Sequence, residues 1–89
     1  MNKLEEARIQ IDKIDETMAA LFKQRMLAVE QVLIYKKANN LPVLDSTREN
    51  AMIQKNINRF ESNKYSTYYE LFLKSILEIS RKYQEDHYE

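Results

Sequence analysis

Between Leu4 and Ala38 nothing in the chain can stop a helix. The stretch holds no glycine and no proline, and its apolar residues recur at spacings of three and four: Leu4, Ala7, Ile11, Ile14, Met18, Leu21, then Ala28, Val32 and Tyr35. That is a heptad seam, the mark of a helix packed lengthwise on another helix. The first stop is Asn39-Asn40, because asparagine tolerates the left-handed backbone that ends helices. Pro42 follows, where a proline is expected just past a helix end. The chain has no glycine anywhere, and Pro42 is its single proline. Sheets normally need glycine at turns and bulges, so the expected fold is all-α.

Two further helices complete it. A connector from Leu41 to Leu44 leads to Ser46 and Glu49, which have capping-box spacing and open a second helix that runs to Phe60 or Glu61. Ser62-Asn63-Lys64 reads as a turn. The third helix starts near Tyr65 and carries an apolar seam at Tyr65, Tyr69, Phe72, Ile76, Ile79 and Tyr83. The reading is thus one domain over residues 1–89, with helices at about 3–38, 46–61 and 65–86. At 1.5 Å per residue the first is a rod of roughly 50 Å. A compact chain of this length is only roughly 30 Å across. The surplus seam needs cover, most simply from the same helix of a second copy. An intertwined helical homodimer is therefore expected.

Composition narrows the function by exclusion. Fourteen basic residues balance 14 acidic ones, which argues against a nucleic acid or a polybasic membrane contact. No apolar run approaches the ~18 residues of a membrane span, and Met1 to Glu6 hold no signal-peptide core. A cytoplasmic protein is expected. There is no cysteine, and the one histidine, His87, stands two residues from the end. Neither a thiolate nor an imidazole metal site is expected.

The seams are interrupted by polar residues. The heptad positions continue from Leu21 to position 25, which is Arg25. Its charge cannot be shed, so it either escapes to solvent, pairs across a dimer, or binds something. Lys36 lies eleven residues on, about 20° round the helix and some 16 Å along it. By itself it could be a solvated lysine suiting the helix C-terminus. Arg8 lies about 100° from Arg25, so it suits a second copy's pocket rather than its own. On the third helix a second stripe runs Leu73, Leu77, Ser80, Gln84, apolar in its first half and polar in its second. Ser80 and Gln84 could be a core edge emerging into water, and Glu49 could be only the capping partner of Ser46. Together, however, Arg25, Lys36, Ser80 and Gln84 imply a polar cavity inside a bundle. Cations without matching seam carboxylates call for an anionic ligand, and arginine's planar fork suits a carboxylate.

At this point the chain resembles a known family, the all-helical chorismate mutases. The residues that carry the likeness are Arg8-x-x-Ile11-Asp12-x-Ile14-Asp15, Arg25, Lys36, Asp45-x-x-Arg48-Glu49 and Glu78-x-Ser80-x-x-x-Gln84. The likeness extends over residues 4 to 86, with the turn between the second and third helices differing by about one residue from the best-known bacterial members. It implies a Claisen rearrangement of chorismate to prephenate, in phenylalanine and tyrosine biosynthesis on the shikimate pathway. It implies an active site shared between the subunits of a homodimer, with no cofactor and no metal. Arg25, and Arg8 from the other subunit, would bind the substrate carboxylates. Lys36 would bind a carboxylate and donate to the ether oxygen, with Gln84 as second donor. Glu49 would accept from the ring hydroxyl with Asp45 nearby, while Arg48 and Ser80 complete the polar lining. Val32, Met52 and Leu77 would form apolar walls. Some relatives carry a glutamate where Gln84 stands, so a flatter pH profile is implied here. Two departures stand out. Leu33 replaces a residue often small, which would narrow the pocket, and Arg81 stands where an apolar residue is common. The alternatives are an isochorismate pyruvate lyase, from which Glu49 distinguishes the chain, a regulatory or interaction module docking on another shikimate-pathway enzyme, and a ligand-free helical dimer. No fused catalytic or effector domain is expected.

Overall fold

A computed structural model describes residues 1–60 and 63–89. The chain forms three helices, α1 (Lys3–Ala38), α2 (Ser46–Ile57) and α3 (Asn63–Asp86), and no strand among the described residues. α1 opens on Asn2, whose side chain accepts the Glu5 N–H at 2.9 Å. It closes as the asparagine pair requires. Asn40 takes a left-handed φ of 53°, which lets Leu41 N–H return to the Lys36 carbonyl at 2.8 Å and Asn40 N–H to that of Lys37 at 3.4 Å. These two bonds are a Schellman ending built without glycine.

α2 starts at Ser46 as expected, but on a different cap. Asp45 is the N-cap, its carboxylate accepting the Arg48 N–H at 3.0 Å. Ser46 is already the first helical residue, so the capping box of Ser46 with Glu49 does not form. Asp45 outcompetes serine because an ionised carboxylate is the stronger acceptor for the orphan N–H groups and also suits the positive end of the helix. α2 ends at Ile57, sooner than expected. There Asn56 turns its amide back on the Met52 carbonyl at 2.8 Å, and its Oδ1 accepts from Arg59 Nε at 2.7 Å. Asparagine side chains compete with the backbone in this way. Glu61, the expected limit of α2, and Ser62 of the expected turn lie outside the described residues. Asn63 and Lys64, also read as turn, are instead the first residues of α3.

α3 packs against both α1 and α2 and holds the chain together. The buried apolar residues are Val29 and Leu33 of α1, Ile53 of α2 and Leu73 of α3. This small core lies at the C-terminal half of α1, and Leu33 belongs to it rather than to the site described below. On α3 the buried stripe is Leu73, Ser80 and Gln84, whereas Phe72 and Ile79 of the longer apolar seam are exposed. α1 shows the same division. Val29 and Leu33 lie about 40° and 80° to one side of Arg25, facing α3, and Ala28 about 60° to the other, facing outward. Leu4, Ile11, Ile14 and Leu21 are all more than half exposed. The molecule measures 55 × 26 × 15 Å with a radius of gyration of 16.4 Å, against about 12 Å for a compact chain of this length.

Candidate functional site

The small core ends in an open cleft with a cavity volume of about 150 Å³. All three helices and the connector between α1 and α2 supply its walls. α1 brings Arg25 and Lys36, the start of α2 brings Asp45, Arg48 and Glu49, and α3 brings Ser80, Arg81 and Gln84. Val32, Met52 and Leu77 contribute apolar surface. Four of these side chains are cations, and two are carboxylates.

Arg25 is held by α3. Its guanidinium donates to the Ser80 hydroxyl, and that hydroxyl in turn donates to the Ile76 carbonyl at 2.9 Å. Its pKa falls below the ordinary arginine value, first through burial and second through the positive charge of Arg48. Lys36 donates to the Val43 carbonyl at 2.6 Å, so the connector that follows the Schellman ending fixes the ammonium at the rim. A lysine has three donors and this bond uses one.

The carboxylates are already engaged. Asp45 caps α2. Glu49 lies on the next turn face and reaches across to α3, where Oε2 sits 3.1 Å from Arg81 Nε. The Nε–H is buried and points off that oxygen, so the contact is an ion pair without an aligned hydrogen bond. Arg25, Lys36 and Arg48 therefore keep charges that no carboxylate of the cleft neutralises. Gln84 is buried at 6% exposure. Its Nε2 donates to the Ser80 carbonyl at 3.2 Å, while Oε1 has no partner. The second N–H of that amide is free for a ligand.

Seven of the eight residues read as site residues thus meet in one cleft: Arg25, Lys36, Asp45, Arg48, Glu49, Ser80 and Gln84. Arg8 does not join them. It is exposed, about 25 Å up the rod from Arg25. Arg81 is the residue that sequence reasoning set aside, treating it as a misfit in an apolar wall. Its position four after Leu77 and three before Gln84 puts it on the same helix face and could have found it. The Val43 carbonyl, being backbone, left no such signal.

The arrangement suits an anion carrying more than one carboxylate, with neutral donors from Gln84 beside it. Among the described residues no group of three or more metal-ligating side chains occurs, and no helix is long and apolar enough to cross a membrane. The family model for chorismate mutase type II matches residues 7–85 of the chain. No curated protein and no solved structure matches it.

Proposed function

The chain belongs to the type II chorismate mutase family, and from that premise we propose that it converts chorismate to prephenate in the cytoplasm, as a step towards phenylalanine and tyrosine. The observation that carries the reading is the convergence of Arg25, Lys36 and Arg48 on one cleft whose own carboxylates are spoken for. A dianion is what such a cleft lacks.

The rearrangement moves no proton and forms no covalent intermediate. Its barrier falls when the substrate is held in a compact chair-like conformer and when charge growing on the ether oxygen is stabilised. Arg25 takes one carboxylate. Lys36, with donors left over from its bond to Val43, takes a carboxylate and the ether oxygen. Gln84 offers its spare N–H to the same oxygen. Glu49, with Asp45 nearby, accepts from the ring hydroxyl through the oxygen that Arg81 leaves free. Arg48 and Ser80 complete the polar lining. Arg8 reaches the second carboxylate from a second copy of the chain, paired along the exposed α1 seam in an intertwined homodimer. The reading assigns a role to no cofactor.

The test is prephenate formation from chorismate by the purified chain, with isochorismate assayed in parallel. Pyruvate release from isochorismate without prephenate from chorismate would overturn the proposal. Activity that rises sharply on adding another enzyme of the pathway would instead mark a docking module.

A further inference from the structure

The pair Glu49–Arg81 joins α2 to α3 across the cleft, with Nε 3.1 Å from Oε2. The side chains are 19% and 34% exposed respectively, so water screens the pair only in part. A carboxylate this far from water, facing a cleft built for a dianion, repels that dianion unless something neutralises it. Within the cleft the other cations are placed differently. Arg25 is engaged by Ser80 and Lys36 by Val43, and Arg48, whose charge acts on Arg25, makes no ion pair among the described residues. Arg81 is the cation in ionic contact with Glu49.

We propose that Arg81 is a positioning residue that neutralises and orients Glu49, so that the cleft accepts a hydroxylated dicarboxylate which an unpaired Glu49 would repel. Arg81 acts through Glu49 and not by contact with the substrate. The Nε–H that points off Oε2 fits this role: the pair supplies charge while leaving the carboxylate's hydrogen-bonding direction open to a hydroxyl. The substrate half of the inference rests on the chorismate reading, whereas the charge half stands on the cleft itself.

The experiment is a double-mutant cycle of Arg81→Met and Glu49→Gln on the full chain, with Arg81→Lys as the conservative variant and circular dichroism to verify folding. Two quantities are read: the dissociation constant of malate, by titration of the 15N-labelled chain, and KM and kcat for chorismate. Arg81→Met should weaken malate about tenfold, the size expected for one partly screened like charge at short range, and should raise KM for chorismate more than it lowers kcat. In the Glu49→Gln background the same substitution should change malate binding less than about twofold. Arg81→Lys should restore most of the loss. Equal losses in both backgrounds would show that Arg81 binds the ligand itself, and no loss in either would reduce it to a wall; each overturns the proposal. A chain that binds malate with this coupling but forms no prephenate defeats the chorismate reading and upholds the role of Arg81.

Discussion

Arg25 shows how a single residue separates function from stability. Burial and Arg48 both lower its pKa, so the folded state disfavours the cation relative to the unfolded chain. The sign follows from linkage: that penalty is present at all pH values where arginine is protonated, and it is relieved only as pH rises through the lowered pKa. Arg25→Ala should therefore leave the melting temperature unchanged or raised, since the lost bond to Ser80, about 1.5–3 kcal/mol net, is offset by relief of the burial and of the repulsion from Arg48. It should lower kcat/KM by at least about 100-fold, as loss of a carboxylate clamp does. Melting curves and initial rates on one preparation check both; a lower melting temperature with activity kept would make Arg25 structural. Gln84 carries the pH argument. Its amide does not titrate, so wild-type kcat should stay flat from about pH 5 to 8, whereas Gln84→Glu should be active only while its carboxyl keeps a proton to donate, and fall as pH rises across that window. Arg25, Lys36, Ser80 and Gln84 were legible in the sequence because each breaks an apolar periodicity. Arg81 was not legible as a partner, because its meaning depends on Glu49 lying opposite, a fact of packing between α2 and α3.

The helices were legible to different degrees, and the reasons are local. α1 was readable end to end, since a seam without glycine or proline has one outcome and the Asn39-Asn40 ending has a specific backbone requirement. α2 starts at Ser46 as expected, but its cap was misplaced by one residue, because Asp45 and Ser46 are both good caps and spacing alone favours the box with Glu49. The shift matters for function. With Asp45 as cap, Glu49 falls one position later than a box would put it and points across the cleft to Arg81. Substitutions can separate the cap from the charge. Asp45→Ala should cost about 1 kcal/mol of stability, Asp45→Asn should keep most of it because asparagine caps as well, and Ser46→Ala should cost less than about 0.5 kcal/mol. Chemical denaturation measures all three. If Ser46→Ala proves the costly change, the cap lies where the sequence first suggested. Activity lost in Asp45→Asn despite a stable fold would then report on the carboxylate near the substrate.

At the scale of the molecule, a chain 55 Å long with four buried apolar side chains among the described residues has most of its apolar seam still facing water. Ile14 and Leu21, each a little over half exposed, offer about 1–1.5 kcal/mol apiece if covered, which is the reason for proposing a second copy along α1. Placing an aspartate at either position should shift the protein from dimer towards unfolded or monomeric species, seen by analytical ultracentrifugation. A sharper prediction concerns who supplies Arg8. Arg25 lines the cleft while Arg8 stands about 25 Å away on the same rod, so within one chain the two cannot hold one substrate. If sites are shared, Arg8→Ala and Arg25→Ala homodimers are both inactive, but a heterodimer of the two has one site with both arginines and one with neither. Unfolding and refolding an equal mixture gives heterodimers in half the assemblies, each with one of two sites intact. Activity should return to about a quarter of the wild-type value. A mixture that stays inactive, with heterodimers verified by mass spectrometry, would place Arg8 outside the site. The opening inference from the rod's length would then explain assembly without catalysis.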